Sequence, residues 1–464
     1  MHIERFFVPG LAHASYLVVS GSEAVVIDPE RNVEGYVAYL AKNELKLVGI
    51  FLTHPHADFV AGHAELSARS SAPIFISEKA PATFVHSDVK EGDRISVGLV
   101  EIEVIETPGH SPDSISLCLY ESGLPVALFS GDTLFAGDVG RPDLRDREMG
   151  SQKLAAMLYS SLFDKLLKLP AGVKVYPAHG AGSLCGRNIS CTVFTTIGQE
   201  AATNWALQFK DRDQFVEAMV ANLPDRPPYF SRSVTINLRG ARFLSDCPAA
   251  AHLRLGEFNA LKQKGVTILD VRSPALFGDA HAAGSLNIGV DGSSFSVWCG
   301  FFVNPDLPIA LVVQNETEAE QAQLELARIG FDGVLGYIAA DDLDETLRIV
   351  QIEARDILPS LKSSPRSVIL DVRSAQEWGQ DHLDCALNIP LPHLPKHIGR
   401  FSRNVPVTVI CRSGYRSSIA TSLLESEGVK RLSNVTGGMN AIRHAKRLRK
   451  ELKHSKTRAL KKKS

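Results

Sequence analysis

The sequence has no run of about 18 consecutive apolar residues, so no segment of it reads as a membrane-spanning helix. Its first residues, MHIERFFVPGLAHASY, place charges and a proline where an export signal needs a basic start followed by an apolar stretch. A cytoplasmic protein is expected. Cysteine is sparse and follows no framework spacing: Cys118, Cys185, Cys191, Cys247, Cys299, Cys385 and Cys411 make seven, an odd number. That excludes a disulfide scaffold and leaves free thiols, each a candidate for reactivity. An excess of charge of one sign is missing too, with 50 Lys and Arg against 52 Asp and Glu. The one strongly basic stretch is the C-terminal tail (446-464), which reads as a solvated extension and implies neither nucleic acid nor membrane as a partner. What is present, 44% hydrophobic and 22% charged residues over a length of 464, suits roughly two to four domains with cores of their own.

An internal repeat organises the second half. ILDVRSPALFGDAHAAGSLNIG from Ile268 aligns without a gap with ILDVRSAQEWGQDHLDCALNIP from Ile369, matching Asp270 with Asp371, Arg272 with Arg373, His281 with His382 and Asn287 with Asn388. Each copy runs from a β-branched strand into alternating helices and strands, the pattern of a parallel α/β sheet. The proline-rich stretch Leu223 to Phe230 reads as the start of the connection to a different first unit. An α/β multidomain protein follows: a first domain with its connection over 1-245, two α/β modules over 250-350 and 355-445, and the tail.

In the first unit, four apolar stretches, KLVGIFLTH, VEIEVIETPGH, LPVALFSGD and GVKVYPAHG, each run into a metal-ligand type. They supply His54 with His56 and Asp58, then His110, Asp132 and His179, in loops that rigid strands would hold. The order and the words THPHAD, TPGH, SGDTLF and YPAHG resemble the metallo-β-lactamase superfamily, whose αββα sandwich carries one or two metals at its edge. The resemblance covers about residues 1 to 200. Its dinuclear zinc members continue the first word with a histidine, and here that place is Phe59, which cannot bind a metal. The intact remainder is similar to the persulfide dioxygenase branch, which implies one Fe(II) per chain on His54, His110 and Asp132. Two histidines and a carboxylate leave positions open for a thiolate-type substrate and dioxygen together. His56, Asp58 and His179 would then orient ligands or hydrogen-bond the substrate, or mark a vestigial second metal site. Arg141, in GDTLFAGDVGRPDL, is expected to meet an anionic substrate; Cys185, in HGAGSLCG, reads either as a partly buried loop cysteine or as a thiol at the mouth of the iron site that relays sulfur.

In the last module, VTVICRSGYRSSIATSLL ends an apolar strand at Cys411 and opens a helix near Ser417. Backbone N–H groups, a helix N-terminus, Arg412 and Arg416 around the sulfur favour a thiolate. This loop, with the DVRSAQEW segment, resembles the rhodanese family, in which the cysteine carries sulfane sulfur as a persulfide. The aligned place in the first module is Val313, followed by Glu316 and Glu318, so that module is expected to be silent, a spacer or docking surface. Cys299 reads as a small core residue.

The whole arrangement resembles bacterial fusions of persulfide dioxygenase with rhodanese. It implies oxidation of a low-molecular-weight thiol persulfide by dioxygen to sulfite and thiol, coupled to sulfur transfer among persulfide, sulfite and thiosulfate. The tyrosine of glutathione-specific relatives is absent after His179, which leaves the thiol open between glutathione, coenzyme A and others. A glyoxalase-type thioester hydrolase and a non-enzymatic sulfur carrier remain as alternatives, and a homo-oligomer stays open.

Overall fold

The described residues of the computed structural model are 1–145, 149–221, 223–292, 294–360, 367–445 and 447. The basic tail lies, apart from Arg447, outside them. The chain divides into two compact units, Met1–Pro248 with Leu324–Asp332, and Ala249–Gln323 with the chain from Gly333 onward. Among the described residues no helix is long and apolar enough to cross a membrane.

In the first unit, β1 (His2–Val8), β2 (His13–Ser20), β3 (Glu23–Ile27), β4 (Lys46–Phe51), β5 (Ile74–Ser77) and β6 (Ser87–Val89) form one sheet in that order. A second sheet takes β7 (Arg94–Val97), β8 (Val100–Glu106), β9 (Ile115–Glu121) and β10 (Leu124–Gly131). A short hairpin of β11 (Leu134–Phe135) and β12 (Asp138–Val139) follows, and β13 (Lys174–Pro177) and β14 (Thr195–Thr196) complete the second sheet beside β10. The two-residue period of a strand decides the layers. In β9, Leu117 and Leu119 face the core between the sheets with Tyr16, Val25, Phe51 and Phe129, while Cys118 turns to the outer face. There it meets the helices Ser151–Ser160 and Arg212–Val220 through Ala155, Leu158, Phe215 and Met219. On the other side, the helix His63–Ser70 packs on β4 and β5.

The parallel pairings set the position of the site. β4 runs parallel to β3 and β5, and β10 parallel to β13, with Gly131 opposite Pro177. The loops that leave β4, β10 and β13 carry His54, Asp132 and His179, which the structure brings to one edge of the sandwich. Gly131, with φ of 52°, is needed there: a Cβ would lie 2.6 Å from Thr53 Oγ1, the residue before His54.

The second unit holds two five-stranded sheets of one topology. β15 (Ala251–His252), β16 (Thr267–Asp270), β17 (Leu286–Asn287), β18 (Ile309–Val313) and β19 (Val334–Ala339) run in the order β15-β19-β18-β16-β17. Next, β20 (Val350–Glu353), β21 (Val368–Asp371), β22 (Ala386–Asn388), β23 (Val407–Ile410) and β24 (Leu432–Thr436) run in the order β20-β24-β23-β21-β22. Asp270 pairs with Val312 in one sheet and Asp371 with Ile410 in the other, so Val313 occupies the place of Cys411. The shared residues of the repeat are struts of the turn after β16 and β21. Asp270 and Asp371 hold the guanidiniums of Arg272 and Arg373, and the Asn287 and Asn388 amides donate to the carbonyls of that aspartate and that arginine.

Candidate metal centre and candidate thiol site

His54 Nε2 and His110 Nε2 lie 3.7 and 3.4 Å from the same oxygen of Asp132, and His179 Nε2 lies 3.5 Å from the other. Among the described residues, three clusters have donor atoms within coordination reach of one another: His54, His110 and Asp132; His56, Asp132 and His179; and Asp58, His179 and Cys185. All of these residues are buried. Among the described residues, His54 Nε2, His110 Nδ1, Asp58 Oδ1 and both Asp132 oxygens find no hydrogen-bond partner. A buried polar atom without a partner costs about 1–3 kcal/mol, so a concentration of them is accounted for if a metal ion takes their lone pairs. The residues present fit such an ion.

The electrostatics agree. Burial and the neighbouring His56 and His110 rings hold His54 well below its ordinary range, and burial also lowers His110, so both rings are neutral donors. Against the pull of burial, Asp132 and Asp58 raise His179 to about 9, which marks a place where negative charge calls for a cation. Asp58 is correspondingly lowered, burial notwithstanding, chiefly by His179.

The supports come from far along the chain. Asp28, just past β3, accepts from the Thr53 amide and hydroxyl at 2.8 Å each. Its Oδ1 lies 3.2 Å from His56 Nε2, and the Thr53 hydroxyl in turn lies 3.1 Å from His54 Nδ1. Tyr229 donates to the Asp58 carbonyl at 2.9 Å, and Asn237 bonds the carbonyls of His56 and Phe59 and the amide of Ala61, each at 2.8 Å. The stretch read as a connection is therefore part of the site's frame. Asp28 carried a signal that went unused, an apolar strand ending in a carboxylate; Asn237 carried none. Close approach matters here too, since a Cβ on Gly140 would sit 1.9 Å from the Asp132 carbonyl oxygen and 3.0 Å from His110 Nδ1.

Phe59 is 1% exposed, and its ring lies 3.8 Å from that of His13 and 4.4 Å from that of His56, centroid to centroid. His13, which the sequence did not single out, is buried with both ring nitrogens unbonded and faces His179 across an isolated bridge. Cys185 is not at an open mouth. It is 1% exposed, and burial together with Asp58 and Asp132 keeps its thiol well above the usual range, hence protonated. Arg141 also differs from expectation: its guanidinium is buried and taken up by Asp143 at 2.6 and 2.7 Å and by the carbonyls of Pro224 and Leu184. It ties loops together.

In the second unit, Cys411 follows β23 and is fully buried. The Gly414 amide donates to its sulfur at 3.1 Å and the Ser417 hydroxyl at 3.3 Å, from the start of the helix Tyr415–Ser426. Gly414 makes this possible with φ of 101°. Arg416 is paired bidentately with Glu377 at 2.7 and 2.8 Å, whereas Arg412 is exposed. At the matching place after β18, the Gln314 amide donates to Glu318 Oε2 at 2.6 Å. That loop thus ties its own Glu318 carboxylate to the amide at the place of Arg412.

Residues 8–179 match the family described as the metallo-beta-lactamase superfamily, and residues 355–445 the rhodanese-like domain. A hydroxyacylglutathione hydrolase of Hahella chejuensis is 37% identical over 34% of this chain and 57% of its own length, and one of Francisella tularensis subsp. novicida is 35% identical over 39% and 68%. The chain therefore spans little more than half of the first of these relatives. The solved structure of a metallo-beta-lactamase from Staphylococcus aureus subsp. aureus COL, 28% identical, covers 73% of this chain and 99% of its own with a TM-score of 0.67. The chain belongs to the metallo-β-lactamase superfamily. A rhodanese-like domain follows the metallo-β-lactamase domain.

Proposed function

We propose that the protein is a mononuclear iron persulfide dioxygenase coupled to a rhodanese. The division of labour is 1-245 for oxidation, 250-350 as a module without a nucleophile, and 355-445 for sulfur transfer. The observation that carries the reading is the Phe59 ring, buried against His13 and His56, where the dinuclear enzymes need a donor, beside the complete set His54, His110 and Asp132. Fe(II) bound by those three would supply redox chemistry toward dioxygen and open coordination positions, which zinc's fixed oxidation state does not. The net reaction is RSSH + O2 + H2O giving RSH, sulfite and two protons, the sulfane sulfur yielding four electrons to dioxygen. Asp58 and His179, 3.3 Å apart, stand ready to hold a substrate or product proton beside it.

Cys411 takes the second role. Its sulfur attacks the sulfane sulfur of thiosulfate, the S–S bond breaks, and sulfite leaves with the electron pair, while the Gly414 amide and Ser417 hydroxyl steady charge on the cysteine sulfur. Run in reverse, the same step lets sulfite from the first domain take the sulfane sulfur of a Cys411 persulfide, the S–S bond to Cys411 breaking as thiosulfate leaves, and sulfite then links the two halves. The partners are then a low-molecular-weight thiol persulfide, dioxygen, sulfite and thiosulfate.

The thioester hydrolase reading has support of its own in the 35–37% identity to hydroxyacylglutathione hydrolases and in the second cluster of His56, Asp132 and His179. Metal content after anaerobic purification, together with oxygen uptake and thioester cleavage, separates the two. About one iron per chain and oxygen uptake only with a persulfide present are expected, with uptake surviving Cys411→Ser while thiosulfate sulfur transfer is lost. Two zinc ions and thioester cleavage without oxygen would assign the site to the hydrolase.

A further inference from the structure

The module without a nucleophile contributes to the Cys411 site. A cavity of about 590 Å³ opens over the catalytic loop, lined by Glu377, Arg412, Ser413, Tyr415 and Arg416 and, from the silent module, by Gly292, Ser294 and Trp298. The junction is built rather than incidental. The Tyr415 hydroxyl donates to the Gly289 carbonyl at 2.8 Å, and Gly292 has no Cβ where one would stand 2.4 Å from the Tyr415 ring. Farther along the same helix, the Ser422 hydroxyl accepts from the Asn287 amide at 3.1 Å and Glu425 meets His281 at 2.7 Å. The helix whose first turn faces Cys411 is therefore held along its length by the other module.

The chemistry of the walls selects a ligand. Trp298 and Tyr415 offer aromatic surface, and the Trp298 ring is backed by Phe301 and Phe302. Arg416 is neutralised by Glu377, but exposed Arg412 makes no ion pair among the described residues and is available to an anion. The volume suits a small molecule and is far larger than thiosulfate requires. We propose that this cavity binds the thiol that exchanges sulfur with Cys411, that the thiol is a nucleotide-bearing one with a planar ring for Trp298 and anionic groups for Arg412, and that Trp298 is the specificity-determining residue. The inference rests on the sulfur-transfer reading of Cys411. In the step itself, the thiolate of the bound molecule attacks the outer sulfur of the Cys411 persulfide. The S–S bond breaks, Cys411 leaves with the electron pair, and the new persulfide departs; the proton lost from the incoming thiol goes to solvent.

The test uses the full chain loaded with thiosulfate, with coenzyme A, glutathione and cyanide as acceptors. Wild-type protein is expected to show a higher kcat/KM for coenzyme A than for glutathione. Trp298→Ala should lower the ratio of kcat/KM for coenzyme A to that for cyanide about tenfold, the size of one lost ring-stacking contact, and Trp298→Phe should recover part of it. A preference for glutathione, or a ratio unmoved in both variants, overturns the assignment of the cavity. Wild-type protein without any thiosulfate-to-cyanide transfer would instead overturn the reading of Cys411, and the cavity proposal with it.

Discussion

At the scale of single residues, the proposed function turns on one phenyl ring. Phe59 fills with carbon the place where a donor would complete a second metal's ligands, although Asp58, His179 and the far oxygen of Asp132 are already gathered there. Phe59→His should therefore raise zinc uptake above one equivalent per chain and depress persulfide-dependent oxygen consumption, both measured on protein reconstituted with defined metal; unchanged stoichiometry would show that the ring is not what limits the site. That His54, His110, Asp132 and His179 come together was legible in the sequence because each follows its strand within a few residues in a short local word. Asp28, His13, Tyr229 and Asn237 were not, because their roles depend on contacts with chain 25 to 181 residues away. Arg141 was misread for a similar reason: a lone arginine in a glycine-rich loop does not announce that Asp143 and the Pro224 carbonyl have claimed it.

At the scale of elements, two copies of one sheet have diverged at a single loop. Periodicity and alignment gave both copies, down to the register that sets Val313 opposite Cys411, because Asp-Val-Arg and the later asparagine serve as structural struts in each. What the alignment could not show was how the silent loop is closed. In the structure Glu318 accepts from the Gln314 amide and so occupies a donor that an anion would need. Val313→Cys in a Cys411→Ser background is accordingly expected to yield no thiosulfate sulfurtransferase turnover above background in a cyanide assay; measurable turnover would mean that the cysteine alone suffices and the loop chemistry is permissive.

At the scale of the molecule, the first unit is not a continuous stretch of chain. Leu324–Asp332 belongs to it, and supplies Asp332 to Arg31 at 3.1 Å, the Arg328 carbonyl to the Val60 amide at 2.7 Å, and the Arg328 guanidinium to Glu30. Arg31 is 1% exposed, and removing the partner of a buried charge costs about 3 kcal/mol. Asp332→Ala, though remote in sequence from every metal donor, should lower the thermal midpoint of the first unit by several degrees, read from the loss of bound metal on heating; a midpoint within error of wild type would show that Arg31 finds another partner.

That discontinuity also orders the birth of the protein. A ribosome that has finished Pro248 has made every metal donor, yet residues 249–323 must still be translated before Arg328 and Asp332 emerge. Domains synthesised first ordinarily fold first. The nascent first unit is thus expected to wait with Arg31 and the Val60 amide unanswered until part of the neighbouring module has left the ribosome.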